Sequence, residues 1–160
     1  MKTTLLIALA SIALVTPAVA QDNAGFVGVR AELAAGVAEV DRFNANDVAY
    51  SATLGVDAPF DDRWTIGAET TVSNVFENHR EWGVAGRLGY ALSPNTLVFG
   101  RVSYARFDDA RDLTREGLAL GAGVEHRLSE RTFINAQYRY TDFDQGDGAH
   151  GALIGFGYRF

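Results

Sequence analysis

The charged residues of this chain that could do chemistry are set into oily sequence. Arg30, Glu32, Asp57, Glu69, Arg87, Arg101, Glu125, Arg127, Arg139 and Arg159 stand in segments otherwise rich in Val, Leu, Ala, Tyr and Gly. Guanidinium and carboxylate groups gathered in a dry space can pair into a rigid polar core or line a thin path for ions. Either way each charge needs a partner, because burying a charge alone costs too much. The second set is the histidines, His79, His126 and His150. A hydrolase would need a serine or an acid paired with one of them. Glu77 and Asp147 lie near His79 and His150 in sequence, but no serine stands beside either in a recognisable motif. His126 falls next to a short turn. The expectation is solvated loop histidines, no catalytic residue, and no metal, since no ligand spacing supports one. No cofactor motif is present either: Gly121 and Gly123 fall in strand periodicity, not in a loop that opens a helix.

The spacing of these charges identifies the elements that must position them. Near the end of the chain Ala152, Ile154, Phe156, Tyr158 and Phe160 alternate with Leu153, Gly155, Gly157 and Arg159. A period of two is a strand with two unlike faces. Segments of the same kind begin at Phe26, Val48, Trp64, Trp82, Val98, Leu118 and Ile134. Across them the oily face carries no Asp, Glu or Arg, and the other face carries all the charges named above. An Arg turned to the middle of a bilayer costs roughly 2–4 kcal/mol. Several such errors would match a whole domain's stability of roughly 5–15 kcal/mol. The charged face must therefore point inward and the oily face toward lipid, the inverse of a soluble barrel.

Connections alternate in length. Residues 58–63, 93–96 and 129–131 are short turns rich in Pro, Asn, Asp and Ser, whereas 36–47, 74–81, 107–116 and 142–150 are longer and acidic. Eight segments joined in this way predict an all-β fold: an eight-stranded antiparallel up-and-down transmembrane β-barrel with short periplasmic turns and longer outer loops. Residues 1–20 read as a removed signal peptide, with Lys2, an apolar run over 5–15, Pro17, and a small-residue cleavage site ending at Ala20. That run is shorter than the about 20 residues of a membrane-spanning helix. The barrel domain would then be 21–160. The chain has no Cys and a net charge of −6, and Lys2 is its one lysine. An acidic chain without a basic patch predicts no nucleic-acid partner.

The run from Gly117 through Val124, Glu125 and His126 to Ser129, the run from Gln137 to Asp142, and the aromatic end at Tyr158 and Phe160 resemble a known group. They are similar to the small eight-stranded outer-membrane barrels of Gram-negative bacteria, the opacity-protein and OmpA/OmpX-type group. The resemblance implies an outer-membrane location, contact with outer-membrane lipid and lipopolysaccharide, and insertion by the barrel assembly machinery. It makes Phe156, Tyr158 and Phe160 the assembly signal. A lumen charge network is expected from Arg30, Glu32, Glu69, Arg87, Arg101, Glu125 and Arg139, with Glu69 pairing with Arg87, Arg101 or both in one layer. Tyr50, Trp64, Trp82, Tyr90, Tyr104, Tyr138 and Tyr140 would form aromatic girdles at the two interfaces. The expected role is structural or surface-interacting, without catalysis and with an unknown surface ligand at the outer loops. The alternatives are a narrow porin-like ion or solute channel and a lipid-modifying enzyme.

Overall fold

The computed structural model describes residues 24–40, 45–75, 80–108, 114–143 and 148–160. The signal-peptide reading, His79 and the middles of the four acidic connections lie outside them. The described chain is a run of eight strands: β1 (Gly28–Val40), β2 (Ala45–Pro59), β3 (Trp64–Val75), β4 (Arg80–Ser93), β5 (Thr96–Asp108), β6 (Thr114–Arg127), β7 (Thr132–Phe143) and β8 (Gly148–Arg159). Each pairs antiparallel with its chain neighbour, and β8 returns to β1 to close the barrel. Closure removes the exposed edges that an open sheet would present to lipid.

The alternation sorts side chains as the pattern demands. Leu33, Leu54, Leu118, Leu120 and Ile154 are among the most exposed residues on the outer wall, while Arg30 is 2% and Glu125 0% exposed inside. The strands hold 12 to 15 residues, more than the roughly 9–11 that cross a bilayer. The excess is at the outer end. Backbone pairing there continues through 36–40 and 45–47, 74–75 and 80–81, 107–108 and 114–116, and 142–143 and 148–150, all assigned to loops by the alternation. Beyond the oily band side-chain alternation fades, but the hydrogen-bonded ladder persists. Two of the expected loop residues therefore move. Glu81 is a buried lumen residue on β4, and His150 sits on β8.

The other end is closed by tight turns. Phe60 N donates to Trp64 O at 2.8 Å, Pro94 and Asn95 join β4 to β5, and Leu128 N donates to Thr132 O at 2.9 Å. Here the first strand departs from expectation. Phe26 does not begin it; residues Ala24–Phe26 form a short 3-10 turn, and Phe26 is fully buried against Ala91, Leu97 and Phe99. Gly28, at φ 118°, redirects the chain from this plug into β1. Few residues other than glycine tolerate that conformation.

Candidate functional site

The register sets a problem inside the lumen. Arg87 on β4 is directly opposite Arg101 on β5, and Arg30 on β1 is directly opposite Arg159 on β8. Like charges facing each other across strands destabilise a sheet, so carboxylates from other strands must come between them. Asp57 does most of this. Its Oδ2 accepts from Arg30 Nε at 3.0 Å, Arg159 Nη1 at 3.0 Å and Arg87 Nη1 at 3.3 Å. Glu125 accepts from Arg87 Nη2 at 2.7 Å and Arg159 Nη2 at 2.8 Å. Above this layer Glu69 binds Arg30 and lies 2.8 Å from Arg101 Nη2. Arg101 also donates to Gln137 Oε1 at 3.3 Å, and Gln137 Nε2 donates to Glu32 Oε1 at 3.1 Å. Glu32 lies 3.5 Å from Arg30 Nη1.

Glycines on the strands between make these contacts possible. Gly55 on β2 is flanked in the ladder by Arg30 on β1 and Glu69 on β3. Gly67 on β3 is likewise flanked by Asp57 and Arg87. With no side chain on the middle strand, ions two strands apart meet across it. A methyl group at Gly55 would lie 3.0 Å from the Arg30 guanidinium, and one at Gly67 would lie 2.2 Å from Asp57 Oδ1.

Three rings complete the filling. Arg87 stacks 4.0 Å over Phe99, Arg159 lies 5.5 Å from the Phe133 ring, and Arg159 Nη1 also donates to the Phe26 carbonyl at 2.6 Å. The cavity left among Arg30, Glu32, Thr53, Glu69, Arg87, Phe99, Arg101 and Gln137 is about 10 Å³, room for about one water.

Of the two partners expected for Glu69 one is found, and one arginine of the expected network lies elsewhere. Glu69 does reach Arg101, but Arg87 turns to Asp57 and Glu125. Counting residues up from the turns put Glu69 and Arg87 in one layer; the register places Glu69 opposite Ala85, two residues further out on β4. Arg139 does not join the network either. It donates to Glu81 at 3.0 Å, near the outer end. Asp57 and Arg159 belong at the centre of the network, although only their inward direction was evident from the pattern. Phe133 lies one residue ahead of the segment that begins at Ile134, and extending the alternation by that residue would have placed it inside.

The girdle residues lie on the outer wall. Trp64 and Tyr90 pack at 4.9 Å near the turn end, where Tyr158 and Phe160 also meet at 5.0 Å. Phe156, from the same expected assembly signal, faces outward on β8. Tyr50, Trp82, Tyr104, Tyr138 and Tyr140 ring the opposite end on the same wall. His150 joins that upper ring: its Nδ1 is hydrogen-bonded to the Tyr138 hydroxyl, and its ring lies 4.9 Å from Tyr140. His126 Nδ1 lies 3.1 Å from Thr96 Oγ1 at the turn end. Among the described residues no group of three or more His, Asp or Glu side chains is placed to hold a metal ion.

An inside-out barrel with a polar, paired lumen and two aromatic girdles points to a single environment. The sequence model of the outer membrane protein beta-barrel domain matches residues 6–160. The chain belongs to that family. Its place is accordingly the outer membrane. No curated protein matches it. Among solved structures it is similar to Ail, the attachment invasion locus protein of Yersinia pestis, at 18% identity and TM-score 0.57, covering 82% of this chain and 96% of that one. It is similar to Neisserial surface protein A at 17% identity and TM-score 0.56, with the same coverage. It is also similar to the outer membrane enzyme PagL at 11% identity and TM-score 0.58, covering 81% and 99%. At these identities the likenesses show the shared eight-stranded barrel and nothing finer.

Proposed function

We propose that this outer-membrane barrel has a structural or surface-interaction role, with a lumen that is a polar plug and no catalysis. The observation that carries the reading is the lumen itself. Arg30, Arg87, Arg101, Arg139 and Arg159 are matched by Glu32, Asp57, Glu69, Glu81 and Glu125, with contacts linking every one of them to an opposite charge. An ion passing through would have to break pairs held in a space already filled by side chains, and eight strands leave little more room than that. Functional contacts are then left to the outer end. Its strand ends and connections carry Asp41, Asp47, Glu77, Asp108, Asp109, Asp112, Asp144 and Asp147, which favours a cationic partner or one bridged by divalent cations. The structure of Ail was also solved with the heparin analogue sucrose octasulfate; the acidic outer segments here make a polyanion a poor fit.

Planar-bilayer recording of the refolded protein tests the plug. Current is expected at the baseline of the empty bilayer. Discrete, reproducible open states would replace this reading with the narrow channel. Lipid A mass spectra from cells with and without the protein are expected to coincide, and a shift by an acyl chain would establish a lipid-modifying enzyme instead.

A further inference from the structure

The girdle at the turn end holds a cation with most of its donors unused. Arg131 lies in the β6–β7 turn with its side chain exposed, and its Nη1 donates to the Tyr158 phenol oxygen at 3.0 Å. That is the one hydrogen bond of the guanidinium among the described residues. Arg131 is cationic like any arginine, and the phenol that accepts its bond raises its pKa above the ordinary value. Tyr158 is itself fixed in place. It faces outward on β8, half-buried, with its ring edge-on to Phe160 at 5.0 Å and 69°.

The chemistry of the pair follows from its bond. A phenol oxygen that accepts from a guanidinium keeps its own O–H free to donate. Arg131 keeps Nη2 and Nε. A planar cationic fork and a hydroxyl therefore stand side by side, both able to donate, on the lipid-facing wall where the oily band ends. A planar fork matches the oxygens of a phosphate, and the amphipathic ring beside it sits at the level of lipid headgroups. Glu130, the adjacent residue, is exposed in the same turn and adds a weaker attraction for the cation.

We propose that Arg131 and Tyr158 form a binding site for the phosphodiester headgroup of a membrane phospholipid, holding the β6–β7 turn and the closing strand β8 at a fixed depth. This goes beyond the proposed surface role and rests only on the barrel spanning a membrane, so the bilayer recordings above do not bear on it.

Native mass spectrometry of the folded, full-length barrel in detergent micelles tests the site, with phosphatidylglycerol as the added lipid and diacylglycerol as the phosphate-free control. Loss of one charge-assisted contact is expected to weaken phosphatidylglycerol binding about tenfold in Arg131→Gln. Tyr158→Phe should weaken it about threefold, the loss of a neutral hydrogen bond. Arg131→Lys should retain part of the affinity, and diacylglycerol binding should not change in any variant. Heat-modifiable gel mobility confirms that each variant is folded; should Arg131→Gln not fold, Arg131→Lys and Tyr158→Phe decide the matter. Equal phosphatidylglycerol binding by wild type and the folded variants overturns the site. Displacement of the lipid by inorganic phosphate at similar concentrations overturns its assignment to a headgroup, because the donors would then be reading free phosphate.

Discussion

The two ends of the lumen are built differently. At the turn end the interior is crowded with Phe26, Leu97, Phe99 and Phe133, and with Arg87, Arg159, Asp57 and Glu125. Toward the outer end the inward positions are small, among them Ala34, Ala38, Ala49, Ala105, Ala119 and Ser73, and the pair Arg139–Glu81 stands apart from the main network. Lipid covers the oily wall toward both ends alike, so that wall does not set one end apart from the other. What distinguishes one end from the other is therefore the interior. The turn end, where Phe26 is buried against Ala91, Leu97 and Phe99, carries interlocked contacts from several strands. The outer end relies on backbone pairing, which leaves its residues freer to change with whatever they meet outside.

The largest test of this contrast is Asp57→Ala. Asp57 accepts from three arginines on three strands. Removing it leaves Arg30 facing Arg159 with their shared counter-ion gone. Breaking one side of a buried ionic cluster costs about 3–5 kcal/mol, and urea unfolding of the barrel in lipid vesicles should show a loss of that size. Adding Arg159→Met should recover part of it. A loss below about 1 kcal/mol, within the range of surface pairs, would remove the central role assigned to Asp57.

A smaller effect is expected from the gaps that let these ions meet. Gly67→Val places a branched side chain where even a single carbon falls 2.2 Å from Asp57 Oδ1. Overpacking of this kind costs about 1–3 kcal/mol. Gly86, on the lipid-facing wall of the adjacent strand, has nothing within 4 Å of such a carbon. Gly86→Val should stay within about 0.5 kcal/mol of wild type. If the two valines behave alike in the same urea titration, the glycines of this barrel are not sorted by face.

How far the sequence discloses this arrangement depends on how local the cause is. Alternation is local: Leu33 against Glu32 or Ile154 against Gly155 already tells lipid from lumen, and eight such segments give the closed barrel. The pairing of Asp57 with Arg87 across Gly67 is not local. It depends on register and shear, which shift heights between strands by several residues and are not written in any one segment. The same limit applies to Gly155. As an inward small residue beside charged strands it reads as tolerant of serine, yet a carbon there would lie 2.8 Å from both Asn135 Oδ1 and Glu32 Oε1. Phe26 departs from the pattern in one respect only. Its position continues the inward face of Arg30 and Glu32, but the 3-10 turn over Ala24–Phe26 and the positive φ of Gly28, which take it out of β1, are properties of the folded chain.

Among the changes inside the lumen, the smallest effect should come from the outer pair. Arg139 Nη2 meets Glu81 Oε2 at 3.0 Å, in the geometry of the inner pairs, but the Arg139 side chain is 14% exposed against 2–7% for the arginines of the main network. When Glu81 is removed, Arg139 can swing its head toward water along its own flexible stem. The uncompensated charge that makes Asp57→Ala so costly does not then arise. Glu81→Ala is expected to cost about 1 kcal/mol or less, close to a surface pair, and amide exchange should quicken only at the outer ends of β4 and β7. The comparison is sharpened by measuring both variants under one set of conditions. A Glu81→Ala loss equal to that of Asp57→Ala would show that the outer end is locked as firmly as the turn end, and the division of the lumen into a crowded half and a light half would fall with it.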